Sequence, residues 1–313
     1  MSNFEYDKLS EETWEKNYKA PGEETRTDTW RRCSKTAASV EKDNKELVEE
    51  KFYELFKDDK FVPGGRIMAN MGVPTRLGTS LYNCFVYNPG DVGIKDPDSI
   101  EGIYSDLKNQ AKTLKVEGGI GKSASYIRPA GTYIEGIGAR TPGVLKFMEL
   151  WDKSSEIITM GSTKLLGSRR GDEKKLSRKG AMMLVLDVWH PDIEEFITAK
   201  QTPGRLSKFN MSVGISNGFM DAVKNNADWE LVFPDTSIPE YKTEWTGNLE
   251  LWKEKQLPVI VHKVVNATDL WESIMKSTYN RAEPGVLFLD LANKLNPIYY
   301  GEYIAASNPC GKQ

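Results

Sequence analysis

The residues best suited to chemistry in this 313-residue chain are three thiols, Cys33, Cys84 and Cys310. They are too few and too scattered to form a disulfide framework. Each must therefore be read in its own setting, as a redox or radical sulfur or as a buried core residue. Cys33 lies beside Arg31 and Arg32 in a helical pattern and reads as an ordinary helix residue. Cys84 opens an apolar run, and Cys310 sits in Asn308-Pro309-Cys310-Gly311 after a short apolar stretch. The two histidines, His190 and His262, cannot build a His-rich metal site, and neither stands in a recognised zinc-ligand spacing, so no metal centre is expected.

Two further motifs need weighing. Glu117-Gly118-Gly119-Ile120-Gly121-Lys122-Ser123 has the end of a phosphate-binding P-loop, but the motif's first glycine is replaced by Val116. Without that glycine the tight turn that aims backbone amides at a phosphate is lost, so a P-loop is not expected. Residues 164–179 carry Lys164, Arg169, Arg170, Lys174, Lys175, Arg178 and Lys179. That run is either a solvated loop or a surface for nucleotide phosphates.

Composition narrows the class. A hydrophobic fraction of 39% and a charged fraction of 28% are ordinary for a globular protein. A net charge of −3 argues against a nucleic-acid surface spread over the whole chain. No stretch approaches the roughly 18 apolar residues of a membrane helix. The polar, acidic start MSNFEYDKLSEETWEK lacks the basic leader and apolar block of a signal peptide, so a cytoplasmic location is expected.

The elements that must position these residues follow from periodicity. Val48, Phe52 and Phe56 fall at i, i+4 and i+8, with Leu55 widening the stripe, and Pro63-Gly64-Gly65 closes this amphipathic helix. From about residue 80 strands and helices alternate. A strand is predicted over 81–87, and Asp98 with Glu101 reads as a capping box for the helix that follows. Thr141-Pro142 reads as the start of the next helix. The run 181–188 is apolar throughout, as a strand covered on both faces would be. Asp192 and Glu195 cap another helix, and further strands are predicted over 206–213, 259–265 and 286–290. Residues 303–306 should lie along a sheet edge. This order implies an α/β fold with a mostly parallel core, and pattern alone does not separate an open sheet from half a barrel.

Several segments, in the right order, resemble the adenosylcobalamin-dependent (class II) ribonucleotide reductases. They are Pro63-Gly64-Gly65-Arg66-Ile67, Asn83-Cys84-Phe85-Val86, Asp98-Ser99-Ile100 and Glu117-Gly118-Gly119-Ile120-Gly121. Arg178-Lys179-Gly180-Ala181-Met182-Met183, the His190-to-Ile197 segment, Glu283-Pro284-Gly285-Val286-Leu287-Phe288 and Asn308-Pro309-Cys310-Gly311 complete the set. The resemblance covers about residues 60–313 and implies a small helical segment over 1–75, then the first half of a ten-stranded α/β barrel over 76–313.

The resemblance also implies roles. Cys310 matches the cysteine that carries the thiyl radical, and Asn308 matches the asparagine that hydrogen-bonds the ribose hydroxyls. Cys84 matches one sulfur of the redox pair that reduces the 2′ carbon. A pair needs Cα atoms about 5.5 Å apart, and the family places its second sulfur beyond the radical cysteine. Substrate contacts are implied at Asn83, Gly119 and Gly121. Effector-nucleotide contacts are implied at Asp98, Ser99, Arg128, Arg178 and Lys179, with effector loops at 131–141 and 178–182. Lys179 stands where family members commonly have a second arginine, and so lacks the planar fork.

One departure matters more. Lys312 stands where the family has the glutamate that takes the 3′-hydroxyl proton, and an ammonium with a pKa of about 10.4 is a poor base at neutral pH. The expected protein is an N-terminal half that is inactive alone. It would work with a C-terminal half of the same enzyme, as a homodimer, on ribonucleotides, under a dNTP or ATP effector, with adenosylcobalamin held mostly by that other half. Two alternatives remain at this point: a non-catalytic nucleotide-binding remnant, and a class I large-subunit fragment served by a separate radical-generating protein.

Overall fold

The computed structural model describes residues 6–74, 78–89, 93–160, 163–164, 176–177 and 181–311. Lys179 and Arg178 of the predicted effector loop, and Lys312, lie outside the described residues. The chain divides into two units: Met1–Asn83 with Val116–Gly118, and Cys84–Lys115 with Gly119–Gln313.

The first unit is helical: α1 (Lys8–Asn17), α2 (Arg26–Ala38), α3 (Lys45–Phe56) and α4 (Gly65–Asn70). Asp7 caps α1 by accepting from the Ser10 amide, and Thr25 with Asp28 forms a capping box on α2. Its small core joins Trp30, Cys33 and Phe56, with Phe52, Tyr53 and Met71 packed against them. The apolar stripe of α3 is narrower than predicted, because Leu55 is 50% exposed while Phe52 and Phe56 turn inward. Burial pushes the Cys33 thiol up to about 11, which keeps it protonated and unreactive. Arg66 of α4 donates to the Glu117 backbone carbonyl and lies 3.9 Å from its carboxylate.

The second unit contains, in chain order, β1 (Cys84–Tyr87), α5 (Ile100–Lys115), β2 (Gly119–Ser123), the short pair β3 (Tyr133–Ile134) and β4 (Ala139–Arg140), and α6 (Val144–Met160). Next come a second short pair, β5 (Thr163–Lys164) and β6 (Leu176–Ser177), then β7 (Met182–Asp187), α7 (Ile193–Thr198), β8 (Phe209–Ile215) and α8 (Asn217–Lys224). The rest is β9 (Asp228–Pro234), α9 (Tyr241–Glu244), α10 (Leu249–Glu254), β10 (Val259–Asn266), α11 (Ala267–Arg281), β11 (Gly285–Phe288) and α12 (Leu289–Leu295). Its centre is a five-stranded sheet in the order β1-β2-β7-β8-β11, parallel throughout. Each parallel neighbour needs a crossover, and the intervening helices supply it. The result is an α/β partial barrel.

Register decides what each face of the sheet can do. Cys84 pairs with Gly119, Gly121 with Met183, Met183 with Asn210, and Val185 with Ser212. Because side chains alternate, these residues share one face, which is small and partly polar. The opposite face carries Ile120, Leu184, Leu186, Phe209, Met211 and Val213, and packs on Ile103 and Leu114 of α5 and Met148 and Trp151 of α6. Burial on both sides explains why β7 reads as an unbroken apolar run.

One charged residue breaks the apolar face. Lys122 is fully buried, 2.7 Å from Asp106 and 3.4 Å from the centre of the Trp151 ring. Isolated burial of such a charge costs several kcal/mol, and the ion pair with its ring contact offsets that cost. The lysine of the P-loop-like motif is thus a core residue.

The structure corrects several local expectations. Ser99, not Asp98, caps α5: its hydroxyl accepts from the Gly102 amide at 3.0 Å. Neither Thr141 nor Pro142 starts α6. That helix begins at Val144, whose amide donates to the Asp192 carboxylate at 3.0 Å. Asp192 also accepts from the Ala130 amide, so its carboxylate serves distant backbone rather than capping its own helix α7. The segment predicted as a strand over 259–265 is one arm of an antiparallel hairpin with β9, outside the parallel sheet. Residues 303–306 do not follow a sheet edge. Ile304 and Ala306 cross the small face of the sheet instead and pack with Met183, Val185, Leu287 and Leu289.

Candidate active site

Glycine spacing on β2 makes the site possible. A Cβ on Gly121 would lie 2.7 Å from the Ser307 carbonyl carbon and collide with its oxygen, and 3.1 Å from the Asn308 Cα. A Cβ on Gly119 would lie 3.1 Å from the Cys84 sulfur and 3.4 Å from the Pro309 ring. The two missing side chains leave a trough, and the segment 307–309 fills it. Asn210, opposite Met183 on β8, donates its side-chain amide to the Pro309 carbonyl at 2.9 Å. The loop then turns back, with the Gly311 amide donating to the Asn308 carbonyl at 2.9 Å and Gly311 at φ +68°. Only glycine adopts that backbone freely.

The loop carries two of the predicted residues, Asn308 and Cys310, and its Pro309 ring shares Gly119 as a neighbour with the sulfur of the third, Cys84. Asn308 is buried, with its carbonyl and its side-chain oxygen 3.3 and 3.4 Å from the Ser307 hydroxyl. Cys310 is exposed, and Cys84 is half-buried beside Gly119. The loop that carries Cys310 is anchored to β2 through Ser307 to Pro309 and to β8 through Asn210. Asn83 directly precedes β1. The sequence reading missed Asn210, whose signal was a lone polar side chain near the start of an apolar run.

A second group of predicted residues meets elsewhere in this unit. Asp98 is 6% exposed and accepts from the Arg128 amide at 2.9 Å, from the Arg128 guanidinium, and from the Tyr241 hydroxyl at 2.7 Å. Burial pushes the Asp98 carboxyl up to about 6, against the downward pull of these donors. Asp98, Ser99 and Arg128 line a cleft of about 290 Å³ together with Tyr133, Tyr241 and Lys242. Tyr241 and Lys242 come from the segment between β9 and β10, which carried no predicted role.

Other candidates resolve into structure. His190 donates to the Ile127 carbonyl at 2.8 Å and accepts from the Asp192 amide at 3.0 Å, and its burial lowers its basicity. It is a neutral core histidine. Among the described residues no group of His, Cys, Asp and Glu could hold a metal ion. No helix of the described residues is long and apolar enough to cross a membrane. A larger cleft of about 480 Å³, lined by Asp187, Trp229, Asp290 and Tyr303, does not include Cys84 or Cys310.

Comparison with known proteins decides the family. Residues 82–313 match the ribonucleotide reductase barrel domain, and residues 4–76 match the ribonucleotide reductase all-alpha domain. The chain belongs to the ribonucleotide reductase family. Within it, the chain is 32% identical over 264 residues to a vitamin B12-dependent ribonucleoside-diphosphate reductase of Mycobacterium tuberculosis, covering 84% of this chain and 32% of that protein. The same identity is found with a vitamin B12-dependent ribonucleoside-diphosphate reductase of Thermoplasma acidophilum, over 84% of this chain and 28% of that protein. A ribonucleoside-diphosphate reductase large subunit of Arabidopsis thaliana is 29% identical over 98% of this chain and 36% of its own length. The chain therefore spans about a third of the reductases it matches.

Proposed function

We propose that this chain supplies the radical-bearing part of a ribonucleotide reductase, with Cys310 as the hydrogen-atom carrier. The observation that carries the reading is the anchored loop: Ser307-Asn308-Pro309 fills the glycine trough of a family barrel, where the Cys84 sulfur and the Pro309 ring both border Gly119, and Cys310 follows directly in the chain. The thiyl form of Cys310 takes the hydrogen atom from C3′ of the ribose and later returns it. Sulfur suits the step because its S–H bond is close in strength to the sugar C–H bond, so transfer is reversible. The Asn308 amide, with both a donor and an acceptor, orients the ribose hydroxyls. Cys84 and a second sulfur from the remaining barrel each give up one proton and one electron. The 2′ hydroxyl leaves as water, the 2′ carbon is reduced, and a disulfide remains.

The proton of the 3′ hydroxyl needs a base. Lys312 does not suit that task at neutral pH, and loss of a general base costs about 10²–10⁴ in rate. A glutamate at or replacing that position is required for full activity. Cys310 is an exposed residue, and the radical source read for it is adenosylcobalamin held largely by the remaining barrel, on the likeness to the vitamin B12-dependent reductases. When bound, that cofactor supplies the unpaired electron. The chain's own part is to hold the sulfur on a fixed loop.

The Asp98–Arg128 cleft is read as the site of a deoxynucleotide or ATP effector, with Ser99 at its rim and a homodimer formed around α5. Reduction assays test the whole reading. The isolated chain with adenosylcobalamin and dithiothreitol is expected to stay at background. Addition of the remaining barrel, with a glutamate in place of Lys312, is expected to restore turnover of ribonucleoside di- or triphosphates. A requirement for a separate radical-generating protein in place of adenosylcobalamin would favour the class I reading.

A further inference from the structure

We propose that Tyr241 is a positioning residue of the nucleotide cleft: its hydroxyl holds the Asp98 carboxylate, which in turn fixes the Arg128 guanidinium along the cleft wall. The inference rests on reading that cleft as a nucleotide site.

Tyr241 is built for such a role. It is 1% exposed, and its ring stacks with Trp245 at 6.4 Å and meets Trp252 edge-on at 6.3 Å. Trp245 is itself tied to the Tyr126 carbonyl by a 2.8 Å hydrogen bond from its indole nitrogen. The ring therefore has little freedom, and the hydroxyl it presents to Asp98 at 2.7 Å is aimed by the whole aromatic cluster. The Arg128 guanidinium, bonded to the same Asp98 oxygen, lies 5.5 Å from the Tyr241 ring centre, within cation–π range. Tyrosine, carboxylate and guanidinium thus form one unit in which each group restrains the next. An arginine left to itself would sample many rotamers, and a ligand would bear the cost of ordering it.

The charged and titratable groups that act on Asp98 or line the cleft with it are Arg128, Tyr126, Asp96 on its own loop, Tyr133 and Glu135 of the β3–β4 segment, and Tyr241 and Lys242 of α9. Of these, the Tyr241 hydroxyl and Arg128 stabilise the ionised form of Asp98 directly. The sign follows. Removing the hydroxyl disfavours the carboxylate, so Asp98 takes up its proton at a higher pH, and the restraint on Arg128 is lost at that higher pH as well.

The variant Tyr241→Phe keeps the ring and its packing and removes only the oxygen. In the full chain, carboxyl-carbon NMR should show Asp98 titrating near pH 6 in the wild type and about half a pH unit or more higher in Tyr241→Phe. Calorimetry with dTTP between pH 5.5 and 8 should show affinity falling as the pH drops through the same midpoint in each protein. At pH 6.5 the variant should bind severalfold more weakly, with its melting temperature little changed. Asp98→Asn, which cannot ionise, should bind weakly with a flat profile. If the wild type binds dTTP but the Asp98 midpoint and the binding profile are unmoved in Tyr241→Phe, the positioning role is wrong. A wild type that binds no dTTP at any pH overturns the nucleotide reading, and the proposal with it.

Discussion

At the residue scale, the site depends on side chains that are absent as much as on those present. Gly121 touches the Ser307 carbonyl group through the space a methyl would fill, and the neighbour is backbone, which cannot rotate aside. Gly121→Ala should therefore cost about 1–3 kcal/mol by overpacking and lift the loop from β2. Thermal melts would report the loss, and faster alkylation of Cys310 would report the lifted loop. A second residue-scale prediction concerns Asp187, a carboxyl that burial pushes up to about 7. Its folded pKa lies above the unfolded value, so the folded state holds its proton more tightly. Stability should fall as pH rises from about 4, where the unfolded chain begins to ionise, through about 7. Asp187→Asn should flatten that decline in melting temperature between pH 4 and 8. An unchanged slope would assign it to other groups.

At the element scale, β2 carries two tasks on its two faces. Gly119 and Gly121 seat the loop, while Ile120 and Lys122 point into the helical layer. Lys122→Met alone should destabilise by about 3–5 kcal/mol, because it leaves the buried Asp106 carboxylate without its cation, with only the Tyr126 hydroxyl donating to it among the described residues. The double variant Lys122→Met/Asp106→Leu should recover most of that loss in denaturant melts, and additive losses would show that the pair is not coupled.

Much of this element layout was legible in the sequence. The apolar run of β7 and the helical period of α5 each follow from a local rule, whereas β2 was not foreseen as a strand because its glycines lack the strand pattern. The caps were not legible, because Asp192 satisfies amides at Ala130 and Val144 that are distant in sequence. The hairpin of β9 and β10 was missed for a related reason. Its partner strands are separated by the aromatic segment that holds Tyr241, and strand period alone says nothing about which strand pairs with which. Of the candidate site, Cys310, Asn308 and Cys84 were singled out through segments that resemble the family's, whereas Asn210 and Tyr241 became visible only through contacts between distant segments.

At the scale of the whole molecule, β1 and β11 are the outer strands of the parallel sheet among the described residues. Exposed strand edges invite pairing with further strands. Phe288 at the β11 end and Leu295, Tyr299 and Tyr300 just beyond it are also exposed apolar or aromatic surface. Exposed apolar surface of this kind favours association with a further protein segment. Co-expression with the remaining barrel should therefore raise the soluble yield of this chain, and an unchanged yield would argue against pairing at these edges. The most direct test of the account is turnover by that completed barrel, with a glutamate at position 312, in three forms: with the native cysteines, with Cys310→Ala, and with Cys33→Ala as a control in the other unit. Reduction of ribonucleotides should persist in Cys33→Ala and fall to background in Cys310→Ala. Turnover that survives Cys310→Ala would contradict the assignment of Cys310 as the hydrogen-atom carrier.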